Sequence, residues 1–330
     1  MIWNKAIIKM NHERNKQFVY RVINKSLINK YCVIKNKASL NESVELVSII
    51  MLSFNRVEDT VFSIKNIYKH IHIPFELIVF DNNSDAEQLK ILRKFIKSYK
   101  NLKLIESSEN LGCAGGRVEA VKSAKGEYYL FLDNDIVVTP YCVENLINTI
   151  NLDKKTAAVC SKVIFPDMTI QFNGGTMLED AHFYRYNLLD SFKLFWDRTT
   201  VNNFVSCPWI PGGATLWRAK YYKKFPIDPE MQGSFEDNEV SIRIHKAGYK
   251  LRNCPRSVMI HYHVNFKDLA FKEKERRYMS GRYNNERTIK ALRHFWKKHE
   301  KGFIFDNEEA TYGFLGDYKY ESIKKFLSSK

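Results

Sequence analysis

Asp133 and Asp135 stand one residue apart, with Asn134 between them, directly after the apolar run Tyr128–Leu132. Two carboxylates so spaced can hold a hard divalent cation through oxygen, and that cation can in turn hold a diphosphate. The same triplet also occurs in surface turns, where Asp and Asn bond their own backbone, so its meaning depends on what shares its neighbourhood. Glu236 and Asp237 form a second acidic pair, inside Gly233–Gly248. One of them can act as a general base, or both can simply face a helix N-terminus, where the dipole favours negative charge. His261 and His263 alternate along Val258–His263 and share one face of a strand. An imidazole aimed at a cation already held by carboxylates completes a mixed oxygen and nitrogen set, compatible with Mn²⁺ as well as Mg²⁺.

Polar and aromatic groups recur at the ends of other apolar runs. Phe54-Asn55-Arg56 follows Leu46–Ser53, and Asp81-Asn82-Asn83-Ser84 follows Glu76–Phe80. Gly112, Gly115 and Gly116 let the backbone approach a ligand, and Arg117 opens the next helix with a charge. Trp209-Ile210-Pro211-Gly212-Gly213-Ala214 would expose backbone amides, or form a plain tight turn.

The elements needed to position these groups are legible as alternating periods. Strand patterns at 46–53, 76–80, 102–105 and 128–132 alternate with helical patterns at 58–70, 86–99 and 117–124, with a glycine-containing loop over 110–116. Continuous apolar strands of this kind are covered on both faces, which argues for a parallel α/β sheet with right-handed crossovers. Ligands collect at the carboxyl edge of such a sheet, where Phe54, Asp81-Asn82 and Asp133-Asp135 would meet. Beyond Val138 the reading gives a helix over 140–150, a strand over 157–165, an irregular aromatic-rich wall or lid over 166–208, and a strand over 215–218. The division expected is a basic helical extension at 1–45 and a catalytic domain at 46–264. That domain divides into two halves, 46–138 and 139–264, and a basic helical extension follows at 265–330.

Composition bounds the function. The chain has 330 residues, 45% of them hydrophobic, enough for a substantial core. Its net charge of +15 is confined to the flanks: nine Lys/Arg against one acid in 1–40, twelve against five in 266–302. A nucleic-acid enzyme would carry that charge across its working cleft, so no nucleic-acid partner is expected. The flanks are candidates for an anionic acceptor or an anionic membrane surface. Six cysteines without a C-x-x-C pair read as reduced core thiols. With no apolar stretch long enough to span a bilayer, the expectation is a cytoplasmic protein, peripheral at most on the inner face of the plasma membrane. A nicotinamide enzyme would want G-x-G-x-x-G after the first strand, and Ser53-Phe54-Asn55-Arg56 offers none. A non-catalytic nucleotide-binding or scaffold protein, docking through its basic flanks, would not need Asp135, Asp237 and His261 to converge.

Together the motifs resemble the inverting nucleotide-sugar glycosyltransferases of family 2, with the GT-A fold. The resemblance runs in order through V-S-I-I-M-L-S-F-N-R (47–56), V-F-D-N-N-S (79–84), N-L-G-C-A-G-G-R (110–117), F-L-D-N-D (131–135), F-E-D-N-E-V-S-I-R-I-H-K-A-G-Y (235–249) and I-H-Y-H (260–263). It implies a hexosyltransferase acting on a nucleotide-sugar donor, UDP expected, and on a glycan, lipid-linked or protein acceptor. It implies nucleotide contacts at Phe54, Asn55, Asp81, Asn82, Gly116, Arg117, Asp133 and Asn134. Mn²⁺ or Mg²⁺ would be held by Asp135 and His261. Asp237 would be the base, with Trp209, Gly212, Gly213 and Glu236 shaping the sugar and acceptor sites. Phe54 stands where tyrosine is common and Asn82 where aspartate is frequent.

Overall fold

The computed structural model describes residues 37–195, 201–232, 235–262 and 285–329. The first half alternates as its periods predict: β1 (Val47–Ser53), α1 (Val57–His70), β2 (Phe75–Asp81), α2 (Ala86–Ile96), β3 (Leu102–Glu106), α3 (Gly112–Val121) and β4 (Tyr128–Asp133). These strands lie in the order β3-β2-β1-β4, all parallel. Alternate residues feed two separate cores. Val47, Ile49, Met51, Leu77, Val79, Leu130 and Leu132 pack beneath α1 and α2, whereas Ile50, Ile78, Phe80, Tyr129 and Phe131 face α3. Each such side chain contributes about 1.5–3 kcal/mol by leaving water, so a one-residue slip would exchange both faces and is strongly disfavoured.

Then the rhythm changes. The elements are β5 (Ile136–Val138), α4 (Cys142–Asn151), β6 (Thr156–Ile164), β7 (Ile170–Phe172), β8 (Gly175–Glu179), β9 (Phe183–Leu188), β10 (Ser206–Cys207), β11 (Ala214–Arg218), α5 (Ala219–Lys224), α6 (Glu236–Lys246) and β12 (Lys250–His261). The sheet extends as β4-β11-β6-β12-β10, with β11 antiparallel to both β4 and β6, so it is mixed rather than parallel throughout. The final part holds α7 (Asn285–His299), β13 (Gly302–Phe305), α8 (Glu308–Tyr312) and α9 (Tyr320–Ser328).

Two expectations are corrected. The stretch 166–208 is not simply irregular: β8 and β9 form an antiparallel hairpin, extended by β13 in parallel from more than a hundred residues downstream. The C-terminal helices pack on the body, and β13 also joins them to it. Ala291, Leu292, Phe295, Phe303 and Ile304 share one core with Tyr184, Tyr186 and Trp209. The supposed glycine loop at 110–116 is mostly the start of α3. Gly112 has φ +70°, and a Cβ there would lie 2.2 Å from the Gln232 carbonyl oxygen, so the glycine seats the helix against that segment. The N-terminal helix expected before residue 37 lies outside the described residues, as does His263. Among the described residues, no helix is long and apolar enough to cross a membrane.

Candidate active site

The carboxyl ends of β1, β2 and β4 form one rim, but their side chains behave differently. After β1, Asn55 and Arg56 both adopt left-handed backbone, φ 51° and 52°, which turns the chain sharply into α1. Ser84 Oγ accepts from Asn55 N–H at 2.7 Å, and Asn55 Oδ1 accepts from Asp85 N–H at 2.8 Å. Asp81 takes Ser84 N–H on one oxygen and the Ser84 hydroxyl on the other, at 2.9 and 2.6 Å. Burial raises its pKa in spite of these bonds. Asn82 donates to Gly112 O at 3.0 Å and accepts from Leu111 N–H at 2.8 Å, tying β2 to the start of α3. Gly116, in α3, packs against Leu52 beside the Asn82 amide. Phe54 is half-buried at the same edge. Asn134 does not turn outward: its amide donates to Thr60 Oγ1 of α1 at 2.8 Å.

Asp135 and His261 meet because of strand pairing. β12 holds a register shift between Cys254 and Val258, next to Pro255, where a ladder bond cannot form. Its last residues then pair antiparallel with β5, His261 opposite Ile136. This register sets His261 Nε2 3.0 Å from Asp135 Oδ1. On the other side of the ring, Nδ1 lies 2.7 Å from Gln171 Oε1, an acceptor, so Nδ1 carries the proton of that bond. Nε2 faces the carboxylate, so the two side chains meet as an imidazole–carboxylate pair, ligand types that also suit a divalent cation. The residues therefore fit a divalent ion. Among the described residues, no cluster of three or more His, Cys, Asp or Glu could hold a metal, so diphosphate oxygens and water would fill the remaining positions. Asp135 Oδ2 is engaged at 2.7 Å by Arg56, which also meets Asp59 at 2.8 Å. Arg56 and Gln171 were not among the candidates from sequence. Arg56 at least stood in the quoted F-N-R; Gln171 carried no signal, because its role follows from pairing alone.

A second cluster centres on Arg117, which is only 4% exposed. Its guanidinium donates to Asp133 Oδ1 and to Glu236 Oε1, each at 2.8 Å, and lies 5.8 Å from the Phe131 ring centroid. Burial opposes its charge, but the Cys113 thiol and the carboxylates of Asp133, Glu236 and Asp237 outweigh it and raise the pKa. Sequence reading set Arg117 against the nucleotide; here both its arms are committed to protein carboxylates.

Glu236 and Asp237 occupy the first turn of α6, entered through Phe235 at φ 72°. Asp237 Oδ2 accepts from Gly212 N–H at 3.0 Å and Oδ1 from Asn238 N–H at 2.8 Å. Its pKa is pushed up to about 7, first by desolvation and then by the Glu236 charge. The turn before β11 must lie very close. A Cβ on Gly212 would come 2.8 Å from Arg117 Nη1, and one on Gly213 2.5 Å from Asp133 Oδ2. The Gly212 amide is thus bonded to Asp237 rather than offered to a ligand. Trp209 is likewise not a wall of the site: it is 2% exposed, donates to Thr176 O at 2.9 Å, and supports the turn from below.

α6 is braced from behind. Glu239 is bound by Arg243 at 2.8 Å, Lys298 at 2.8 Å and His299 at 3.3 Å, and these bonds hold its pKa down at about 2 against the desolvation that would raise it. The C-terminal helix α7 thereby fixes the element that carries Asp237.

Comparison with known proteins agrees with this architecture. The sequence profile described as Glycosyl transferase family 2 matches residues 48–211. Escherichia coli UDP-Glc:alpha-D-GlcNAc-diphosphoundecaprenol beta-1,3-glucosyltransferase WfaP is 29% identical over 180 residues, covering 51% of this chain and 66% of the enzyme. An uncharacterized glycosyltransferase of Methanocaldococcus jannaschii is 23% identical over 253 residues, 76% of this chain and 81% of its own. Among solved structures, GalNAc-T7 with UDP, GalNAc and Mn²⁺ superposes with TM-score 0.57 at 17% identity, over 85% of this chain and 59% of that one. The chain thus spans about two thirds or less of two of these three relatives.

Proposed function

The chain belongs to glycosyltransferase family 2 and has the GT-A fold, and from that premise we propose that it moves a sugar from a UDP-sugar to an acceptor hydroxyl, with inversion and with Asp237 as general base. The observation that carries this reading is the state of Asp237. Three carboxylates gather near Arg117, and two of them, Asp133 and Glu236, are spent on its guanidinium. Asp237 alone is held by backbone amides, half-buried, with a pKa of about 7. A base works best when its pKa lies near the working pH, and a carboxylate anchored on both oxygens keeps its orientation through the reaction. Because Glu236 is tied to Arg117, no second free carboxylate stands beside Asp237 among the described residues to serve as a nucleophile. This favours direct displacement and inversion.

On the donor side, the rim after β1, β2 and β4 would take the nucleotide, Phe54 against the base and Asp133 toward the ribose. Asp135 and His261 would hold Mn²⁺ or Mg²⁺, which when bound supplies the positive charge that a departing nucleoside diphosphate requires. Arg56 donates to Asp135 Oδ2, which leaves Oδ1 turned toward His261. A scaffold protein would have no use for a carboxylate with its pKa near 7 or for the buried Asp135–His261 pair. The acceptor proposed is a glycan or lipid-linked glycan, in keeping with the diphosphoundecaprenol substrate in the name of the Escherichia coli relative. Incubation of the purified protein with a panel of nucleotide sugars and Mn²⁺ tests the reading. Slow, metal-dependent release of UDP from one donor is expected, and the reading fails if no donor is hydrolysed or transferred to GlcNAc-diphosphoprenol.

A further inference from the structure

The Arg117 cluster does more than fill space. α3 brings Arg117 beneath the Gly212 turn, where the residue is enclosed by Phe131, Asp133, Glu236 and Gly212. It is the point at which the nucleotide half, through Asp133 at the end of β4, touches the helix that carries Asp237. A cation and an anion of the same ion pair therefore both lie beside one further carboxylate. We propose that Arg117 and Glu236 are an opposed pair of positioning residues that set the protonation of Asp237: the guanidinium favours its carboxylate form, and Glu236 favours its acid form. The inference rests on the reading of Asp237 as the base.

The surroundings of Asp237 support this division of labour. On its own helix lie Glu236, Glu239 and the Asn238 amide. From α3 comes Arg117 with Cys113 behind it, from β4 Asp133, from the Gly212 turn a backbone N–H, and from β9 the buried Tyr186 hydroxyl, which feels the charge of Asp237. Glu239 is neutralised by Arg243, Lys298 and His299. Asp133 is paired with Arg117. Tyr186 is raised well above its ordinary range by burial and stays neutral. Among the described residues, what remains to act on Asp237 is the Arg117–Glu236 pair and two amides. A Cβ built on Gly212 would lie 2.8 Å from Arg117 Nη1 and 3.5 Å from Asp237 Cβ, so the guanidinium and the carboxyl flank the same turn, and charges within about 4–6 Å move a carboxyl pKa by about 1 unit or more.

The test reads the native pKa of Asp237 without turnover. Urea stability of the unaltered chain relative to Asp237→Asn is followed from pH 4 to 9. An ordinary carboxyl in the unfolded chain ionises near about 3.9, whereas the raised native group does not. The stability of the unaltered chain relative to Asp237→Asn therefore falls as pH rises, and levels off once the native group ionises. Repeated in a Glu236→Gln background, the levelling point is expected to move about 1 pH unit down; in Arg117→Gln, about 1 unit up. Arg117→Lys, which restores the charge, is expected to return it toward the original value. Opposite displacement by the two halves of one ion pair is not what general damage to the fold would produce. If Arg117→Gln does not fold, Glu236→Gln decides alone. No displacement in Glu236→Gln, or an upward one there, overturns the proposal. Hydrolysis of UDP-glucose with Mn²⁺ by Asp237→Asn is measured in parallel. Undiminished hydrolysis removes the base assignment, whatever the levelling points show.

Discussion

The two stretches of the sheet rim that carry polar side chains are built on opposite terms. Beyond β1 and β2, Asn55, Asp81, Asn82 and Ser84 bond one another and the backbone, and every one of those bonds fixes the course of the chain. Beyond β4 and at the start of α6, Asp133, Asp135, Glu236 and Asp237 stand crowded, three of them paired with two buried arginines, with the Asp237 pKa pushed up to about 7. The first stretch is satisfied and makes a shape. The second is short of positive charge and makes a site. Amides and hydroxyls can close their own accounts within a turn, whereas clustered carboxylates must find counter-charges from other elements. That is why the second stretch draws on α1, α3, β7 and β12.

The sharpest way to break this comparison is to remove the poised group. Asp237→Asn is isosteric but cannot take a proton, and turnover is expected to fall on the order of 10²–10⁴-fold, with affinity for Mn²⁺ and UDP unchanged in calorimetry. In the unaltered chain the rate should rise with pH through about 7, because the acid form of Asp237 is inactive as a base. A flat profile from pH 5 to 9, or an active Asp237→Asn, would make the α6 carboxylates structural like those after β2. Next in size is Gln171→Ala, which leaves both proposed metal ligands in place but removes the partner of His261 Nδ1. Such partners are worth about 10–100-fold in metal affinity, so Mn²⁺ binding followed by electron paramagnetic resonance should weaken by that factor. Unchanged affinity would mean that His261 is oriented by β12 alone.

The same contrast explains what could be read from sequence. The parallel half announces itself because each strand is a continuous apolar run followed closely by a helix of period 3.6, and its neighbours in space are neighbours in sequence. The convergence of Phe54, Asp81 and Asp133 followed from that topology without coordinates. The hairpin β8–β9 did not show, because its partner β13 lies more than a hundred residues downstream and its aromatic residues read equally well as a loop wall. Trp209 was expected to help shape the sugar and acceptor sites, and its indole packs in the core with Tyr186 and Phe305. Spacing reveals an aromatic ring but not which side of the backbone is buried. Arg117 had the right neighbourhood and the wrong partners. Its charge was legible, but the two carboxylates that consume it come from β4 and from a helix 119 residues away. Arg56 was passed over because an arginine after a strand has no periodicity to mark it.

The smallest effect expected falls on the satisfied stretch, and it tests the comparison from the other side. Ser84 donates to Asp81 Oδ2 and accepts from Asn55 N–H. Ser84→Ala removes both bonds at a cost of about 1–3 kcal/mol in stability, measured by urea unfolding. The direction with pH follows from Asp81, whose pKa burial already raises. The lost hydroxyl favoured the ionised carboxylate, so without it the native pKa rises further above its unfolded value. The deficit is complete at pH values above that raised pKa and fades as pH falls through it and Asp81 becomes protonated. If this stretch only gives shape, UDP affinity should change less than about threefold, which is under 1 kcal/mol, and the pH dependence of turnover should keep its midpoint, because Ser84 shares no partner with Asp237 among the bonds described. A shifted midpoint would mean that charge at the β2 end reaches the base through Asn82 and α3. The two stretches would then be one electrostatic unit rather than a frame and a site.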